Sequence, residues 1–286
     1  MSSMQFTKMH GIGNDFVMVN CLGEGGGAQL EAAKLQASFL CDRKFGVGGD
    51  GVIAVLAGES APFAMKMYNP DGSEAEMCGN GIRCFAKYLW DRGLTHRENY
   101  IPVETGAGLL HLQIHVGADG RADSVRVDMG EPVLIPALVP TTLGHGQTSA
   151  VNVPLEIDGQ PLYVTAVSMG NPHAVIFVDR VKDYPIEVVG PKVESHPMFP
   201  RRTNTEFIEV LSEREINFRV WERGAGETLA CGTGACAAVV ACVLNGKTGR
   251  SVLVHLPGGD LDIEWSEGDN HVYMTGSATE VFEGEI

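Results

Sequence analysis

The tetrapeptide pattern Cys-Gly-x-Gly occurs twice in this 286-residue chain, at Cys78–Gly81 and at Cys231–Gly234, 153 residues apart. Similar residues recur at the same offset around both copies: Tyr68 with Trp221, Glu74 with Glu227, and Gly93 with Gly246. An offset this long indicates internal duplication and not a short-period repeat protein. We therefore predict two domains of like fold, each carrying one matched cysteine.

Short segments with alternating apolar residues dominate the chain and predict half-buried strands. These segments are 63–67, 109–116, 125–129, 162–167, 174–178, 206–210, 216–220 and 261–265. Helical patterns are fewer, at 29–41, 80–92 and 233–245. The last two stop at Gly93 and Gly246, as expected of a left-handed glycine after a helix. We predict an α+β fold of two pseudo-symmetric domains, each a curved, barrel-like mixed sheet around a central helix.

The charge and the hydrophobic pattern of the chain limit the molecules that it is expected to bind. A formal net charge of −15 argues against binding to nucleic acid or to an anionic membrane. The chain has no apolar run of the roughly 18 residues that span a membrane, and no signal-peptide pattern at its start. Seven scattered cysteines do not suggest a disulfide framework. We expect a cytoplasmic protein that acts on a small molecule.

Each Cys-Gly-x-Gly pattern follows a predicted strand and precedes a predicted helix. A cysteine at a helix N-terminus is close to free N–H groups and to the positive end of the helix dipole, which lower a thiol pKa. The same N–H groups can hold a substrate carboxylate. Two such thiols on opposite faces of one carbon could invert it, one as thiolate removing a proton and the other as thiol delivering one.

Other roles for the cysteines and the glycine-rich turns fit the sequence less well than proton transfer by Cys78 and Cys231. The remaining five are expected to be inert core residues: Cys21, Cys41, Cys84, Cys236 and Cys242. The spacings Cys78-x5-Cys84 and Cys231-x4-Cys236 fit zinc sites poorly, and we predict no metal. The redox pattern Cys-x-x-Cys is absent. No Lys-Ser/Thr follows the glycines to make a phosphate loop.

The residues around these patterns resemble the diaminopimelate epimerase family over essentially the whole chain. The resembling segments are 9–16, 43–51, 68–73, 78–84, 169–173, 202–204, 222–228, 231–236, 257–259 and 274–276. The resemblance implies a two-domain fold with the last strand returning to the first domain, and an active site in the cleft between the domains. The sequence itself predicts a domain boundary near Gly130-Glu131-Pro132. With the returning strand added, the first domain is expected at 1–130 plus 274–286 and the second at 131–273. The resemblance also implies a cofactor-independent enzyme that interconverts LL- and meso-diaminopimelate.

The family also implies individual roles. Cys78 and Cys231 resemble its acid/base cysteines, and His173 and Glu222 resemble the residues that tune these thiols. The substrate contacts implied by the resemblance are Asn14, Asn69, Gly79, Asn80, Asn171, Asn204, Glu222, Arg223, Gly232 and Thr233. Arg223 suits a carboxylate because its guanidinium can donate two parallel hydrogen bonds. The resemblance leaves open which cysteine is the thiolate for which stereoisomer.

Two positions depart from the family pattern. Many members carry Gln where Gly51 stands here, so a substrate contact is expected to be lost or replaced. Phe282 stands where some members have a Tyr linked to dimerisation, so a homodimer is expected with an apolar contact only. The chain is also long between Val133 and Val167, which predicts a surface loop or a hairpin extension.

Two other functions fit parts of the pattern. A proline or hydroxyproline racemase would use the same two cysteines, but its substrate has no second amino acid centre for the asparagines and Arg223 to hold. A thiol redox or binding protein could keep the fold without the epimerase activity.

Overall fold

The structure is a computed structural model that describes residues 3–286. It divides into two compact units, the first formed by Met1–Asp128 with Thr275–Ile286 and the second by Met129–Met274. Residues 1 and 2 of the predicted first domain lie outside the described residues. Both units combine many strands with few helices, so the predicted α+β class is confirmed. Within the described residues, no helix is long and apolar enough to cross a membrane.

Over residues 3–128 and 275–286, the first unit has three helices and nine strands, numbered in chain order. The helices are α1 (Gly26–Leu35), α2 (Ala37–Cys41) and α3 (Gly79–Asp91). The strands are β1 (Gln5–Gly11), β2 (Asn14–Asn20), β3 (Gly51–Ala57), β4 (Phe63–Tyr68), β5 (Glu74–Ala75), β6 (Tyr100–Thr105), β7 (Gly108–Val116), β8 (Ala122–Asp128) and β18 (Thr279–Glu285).

The strands of the first unit form a mixed sheet around α3. Strand β1 pairs antiparallel with both β18 and β2, and β2 pairs parallel with β3. Strand β3 pairs antiparallel with β4, which pairs antiparallel with β5 and parallel with β6. Antiparallel pairs β6–β7 and β7–β8 complete the order. Strands β1, β2, β7 and β8 all contact α3, which shows that the sheet curves around this helix.

The second unit contains two α-helices, one short 3₁₀ turn and the remaining strands. The helices are α4 (Ile186–Glu194) and α5 (Gly232–Leu244). The strands are β9 (Ala150–Ile157), β10 (Gln160–Ser168), β11 (Pro172–Phe177), β12 (Asn204–Ser212), β13 (Glu215–Glu222), β14 (Gly226–Thr228), β15 (Ser251–Leu256), β16 (Gly259–Trp265) and β17 (Val272–Ser277), of which β17 runs on into the first unit.

The strand pairing of the second unit repeats that of the first. Strands β10–β11 are antiparallel, β11–β12 parallel, β12–β13 and β13–β14 antiparallel, β13–β15 parallel and β15–β16 antiparallel. The same succession joins β1 to β7 in the first unit. The duplication read from the sequence is therefore a duplication of topology.

The two central helices are matched residue for residue. Helices α3 and α5 both have 13 residues and begin one residue after their cysteine. Each ends in a left-handed glycine, Gly93 at φ 68° and Gly246 at φ 64°. The N–H groups of Gly93 and Leu94 bond the carbonyls of Trp90 and Leu89, which closes the helix end in a Schellman motif. The predicted helices were each displaced by one residue.

Two elements differ from the sequence prediction. Segment 29–41 is not one helix, because Gln36 leaves helical geometry and separates α1 from α2. Helix α4 was not predicted, since Gly190 and Pro191 lie inside it and both disfavour helix. It forms because Ile186 and Val193 are fully buried in the core of the second unit.

The long segment between Val133 and Val167 contains the hairpin β9–β10, as one of the two predictions for it expected. Its turn has Asp158 at φ 53° and Gly159 at φ 76°, the geometry of a tight hairpin turn. The segment is not merely a surface extension, because Val139 and Leu143 join the core cluster of the second unit.

Candidate active site: two cysteine half-sites

Cys78 is the N-cap residue of α3, with extended backbone geometry at φ −136° and ψ 122°. Its carbonyl accepts the first helical bond, from the N–H of Ile82 at 2.8 Å. The first N–H groups of a helix have no acceptor inside the helix. Gly79 and Asn80 therefore direct their N–H groups toward the end of the helix where the half-buried Cys78 lies.

Asn14 links strand β2 to this cysteine. Its Oδ1 atom accepts hydrogen bonds from Cys78 Sγ at 3.4 Å and from Asn80 Nδ2 at 3.2 Å. Its Nδ2 atom donates to Asp50 Oδ2 at 2.6 Å. An amide has one acceptor and one donor end. Asp50 therefore turns the acceptor end of Asn14 toward the thiol.

Asp50 belongs to a cluster of charges beneath Asn14. Arg43 bonds both Asp50 and Asp15 at 2.7 Å, and Lys8 bonds Asp15 at 2.5 Å. Burial raises the pKa of Asp15, but hydrogen bonds from Arg43 and Lys8 outweigh it and hold that pKa at about 2. Asp15 is therefore a carboxylate at neutral pH, and the cluster is a fixed support for Asn14.

The sequence also singled out Asn69 and Gly51 in this unit. Asn69 lies in the turn after β4, where its Nδ2 atom donates to Ser73 Oγ at 3.0 Å. Gly51 begins β3, where a side chain would be crowded by its neighbours. A β-carbon there would lie 2.9 Å from Met67 Cε and 3.0 Å from the Tyr68 carbonyl oxygen. A larger residue at this position would have to displace one of them.

Cys231 is the N-cap of α5 and is 5% exposed. Its sulfur lies 3.7 Å from Thr233 Oγ1. Burial, and after it the charges of Glu222 and Glu206, raise the pKa of Cys231 well above its ordinary value. The Thr233 hydroxyl and the Gly234 N–H lower it less. The first turn of α5 therefore acts on the pKa of Cys231 in the expected direction, but desolvation disfavours the thiolate more strongly, so the net pKa is raised and not lowered.

Glu222 ends strand β13, and Arg223 follows it in the loop that leads to β14. Thr228 Oγ1 donates a short hydrogen bond to Glu222 Oε1, which fixes the carboxylate across the strand pair. Asn204 Oδ1 accepts from the backbone N–H of Arg223 at 2.9 Å, and Asn204 Nδ2 donates to the Pro172 carbonyl at 3.0 Å. Asn204 therefore ties the Arg223 loop to β11.

His173 is fully buried between two of its neighbours. Its Nδ1 atom lies 2.7 Å from Glu206 Oε1, and its Nε2 atom lies 2.9 Å from Asn171 Oδ1. Glu206 is also fully buried, on the adjacent parallel strand β12. Burial raises the pKa of Glu206, and the neighbouring His173 offsets this only in part.

In each unit the structure brings several of the predicted residues into contact with one another. Cys78, Asn14 and Asn80 form one hydrogen-bonded set, whereas the amide of Asn69 bonds within its own turn. In the second unit, His173 contacts Asn171, Asn204 contacts Arg223, and Glu222 acts on Cys231 through its charge.

Sequence reasoning missed three residues that hold these sets, namely Asp50, Glu206 and Thr228. Asp50 stands beside Gly51 in a segment that resembles the family, but only the fold shows which amide it bonds. Glu206 was read simply as part of a strand, and no local signal marks it.

The other cysteines lie in the core, as predicted. Burial raises the pKa of Cys21 and Cys41 to about 11 and that of Cys84 and Cys242 to about 12. Thiols of this kind are unreactive. Among the described residues, no group of three or more His, Cys, Asp or Glu side chains is placed to hold a metal ion.

Solved structures with the same fold cover nearly the whole chain. A hydroxyproline epimerase from Agrobacterium vitis matches with a TM-score of 0.70 at 17% identity, over 100% of this chain and 91% of that one. A phenazine biosynthesis protein of the PhzF family from Bacillus anthracis matches with a TM-score of 0.68 at 18% identity, over 100% and 99%. The chain thus has the duplicated α+β fold that these proteins share.

Closer relatives identify the family. A sequence model described as diaminopimelate epimerase matches residues 6–135 and 165–281. The diaminopimelate epimerase of Pelotomaculum thermopropionicum is 56% identical over 282 residues, covering 99% of this chain and 98% of that protein. That of Acetivibrio thermocellus is 54% identical over 283 residues, with coverage of 99% and 98%. The chain belongs to the diaminopimelate epimerase family.

Proposed function

We propose that the chain is an isomerase that interconverts LL- and meso-2,6-diaminopimelate, a step in the formation of lysine and peptidoglycan precursors. The observation that carries this proposal is the matched pair of N-capping cysteines on helices of equal length, in a chain of this family. Identity above half to named epimerases over nearly the full length supports the substrate.

The chemistry follows from the weak acidity of the α-hydrogen of an amino acid. One cysteine, as thiolate, removes this proton, and the other, as thiol, delivers a proton to the opposite face. General acid–base catalysis of this kind contributes roughly 10²–10⁴-fold. The N–H groups of Gly79-Asn80 and of Gly232-Thr233 hold the carboxylate at the reacting carbon, and they stabilise the negative charge that develops there.

The two half-sites start from different protonation states. Cys231 is buried beside Glu222, so it begins as a thiol and donates its proton after the α-proton has been removed from the other face of the carbon. Cys78 is more exposed than Cys231, so a thiolate there is less disfavoured by desolvation. Glu222 tunes Cys231 through its charge and His173 through its contact with Glu206, and Cys78 is the thiolate that removes the first proton.

The remaining polar residues grip the end of the substrate that does not react. Arg223 donates to a carboxylate, Glu222 accepts from an ammonium group, and the amides of Asn69, Asn171 and Asn204 supply further hydrogen bonds. Asn14 stands apart because its acceptor atom faces the Cys78 thiol. We assign Asn14 to the reacting end.

Four further features belong to this proposal. The enzyme works without pyridoxal phosphate, in the cytoplasm, on a small-molecule substrate and as a homodimer. Phe282 supports the last point, since it is 47% exposed and its neighbour Val281 is 53% exposed. Its ring packs edge-on against Phe6 at 5.9 Å between centroids, which leaves an apolar face on β18.

The decisive experiment is incubation with LL-diaminopimelate in D₂O, followed by mass spectrometry and chiral separation. We expect meso-product with deuterium at one α-carbon, and no isomerisation by the Cys78→Ala or Cys231→Ala variants. Cys84→Ala and Cys242→Ala are matched controls because both remove a buried thiol from the same helices. Isomerisation without α-deuterium would overturn the proposal. Faster turnover of free proline would favour a proline racemase instead.

A further inference from the structure

A second buried carboxyl lies beside Cys231. Oε1 of Glu206 and Sγ of Cys231 both contact the point where a β-carbon on Gly234 would lie, at 2.9 and 3.1 Å. Gly234 belongs to the first turn of α5. The absence of a side chain there is therefore what allows the carboxyl and the thiol to approach the same turn.

The two oxygens of this carboxyl have unequal surroundings. Oε1 lies 2.7 Å from His173 Nδ1, whereas Oε2 is buried and has no hydrogen-bond partner among the described residues. A buried carboxylate with one unpaired oxygen is costly. A carboxyl that shares a proton with the imidazole avoids this cost, because the pair then has no net charge.

The shared proton determines the state of the other ring nitrogen. If Glu206 keeps the proton, it donates to a bare Nδ1, and neutral His173 carries its hydrogen on Nε2. If the proton moves to Nδ1, the imidazolium carries a hydrogen on both nitrogens. In both cases Nε2 donates to Asn171 Oδ1, 2.9 Å away. Asn171 must then direct its NH₂ group elsewhere.

We propose that Glu206 is a positioning residue: through a proton shared with His173 it holds the Asn171 amide with its NH₂ group available to a substrate acceptor. The assignment of Asn171 to the substrate rests on the function proposed above. The pairing of Glu206 with His173 does not depend on it. The raised pKa of Glu206 is consistent with a carboxyl that retains its proton.

The hydrogen on Nε2 can be observed directly. We would label the full chain with ¹⁵N-histidine and assign His173, one of nine histidines, by its loss in the His173→Asn variant. Proton–nitrogen correlation spectra separate the two tautomers and the imidazolium. We expect a hydrogen on Nε2 in the unaltered chain. A bare Nε2 in that spectrum would overturn the proposal.

Two substitutions separate positioning from a structural role. Glu206→Met fills the volume but cannot bond Nδ1, so we expect both tautomers to be populated and the KM for diaminopimelate to rise about ten-fold, with kcat changed less than about three-fold. Glu206→Gln still donates an N–H to Nδ1, so it should keep the tautomer and restore most of the KM. Glu156→Met makes the same change at an exposed strand position of the same unit and serves as control.

Each outcome decides the question. An unchanged KM in Glu206→Met, equal impairment in both Glu206 variants, or a loss of kcat alone would refute the positioning role. If the unaltered chain lacks epimerase activity, the proposed function fails, but the tautomer spectra of the three chains still report whether Glu206 fixes His173. The two failures are therefore distinguishable.

Discussion

Asp50 accepts a 2.6 Å hydrogen bond from Asn14, and this bond decides which end of the Asn14 amide meets Cys78. The carboxylate can only accept, so the amide nitrogen faces Asp50 and the amide oxygen faces the thiol. Asp50 is in turn held by Arg43 at 2.7 Å. The orientation at one cysteine thus depends on a residue that does not touch it.

Removing this support should slow the reaction more than it weakens the fold. In Asp50→Ala we expect kcat to fall about five- to ten-fold, the value of one positioning hydrogen bond. Asp50→Asn keeps an acceptor for Asn14 and should be intermediate. Steady-state kinetics with thermal melting would test this, with the exposed Asp123→Ala as control. Equal kcat in all three variants would show that Asn14 needs no support.

The two N-capping thiols, Cys78 and Cys231, should differ in reactivity. Cys78 is half-buried, whereas Cys231 is 5% exposed and burial raises its pKa well above the usual range. Because only the thiolate reacts, we expect iodoacetamide at about pH 8 to alkylate Cys78 at least ten-fold faster. Peptide mass mapping over time gives both rates in one sample. Faster labelling of Cys231 would reverse the assignment of the proton donor.

Buried thiols should make the fold less stable in alkali. The pKa of Cys242 is about 12 in the folded chain, against an ordinary value of 9.0. Above about pH 9 the unfolded chain therefore loses this proton while the folded chain keeps it, and stability falls by about 1.4 kcal/mol per pH unit for this one group.

The Cys242→Ala variant isolates this effect, because its unfolded state has no such proton to lose. We expect the free energy of unfolding, measured in urea, to fall less steeply between about pH 9 and pH 11 in the variant than in the unaltered chain. Any cavity left by the missing sulfur lowers the free energy of unfolding by the same amount at each pH, so it does not change the slope. Parallel pH curves for the two chains would contradict the burial-driven shift.

Replacing Gly51 by the Gln that many family members carry should not restore the substrate contact of that Gln. In Gly51→Gln the new side chain meets Met67 and the Tyr68 carbonyl, so we expect a loss of about 1–3 kcal/mol in stability and no gain in substrate affinity. Gly27→Gln is the matched control, since no atom lies within 4 Å of its added β-carbon. A stable Gly51→Gln chain with a lower KM would show that the core relaxes around the amide.

A large part of the fold could be predicted from the sequence. The duplication predicted two like units, and the helices after Cys78 and Cys231 were placed within one residue, because periodicity and a terminal glycine are local signals. The family resemblance is confirmed by relatives above half identity. Helix α4 was missed because its stability comes from the burial of Ile186 and Val193, which outweighs the local cost of Pro191.

The roles of single residues at the site were harder to predict from the sequence than the fold was. The sequence determined which residue types are present and that two cysteines begin matched helices. Only the tertiary structure decided that Asp50 orients Asn14, that Glu206 meets His173 across parallel strands, and that Cys231 is desolvated beside two carboxyls. The reason is physical: hydrogen-bond direction and burial depend on atoms that are distant in the sequence, whereas helix and strand periodicity depend on neighbours along the chain.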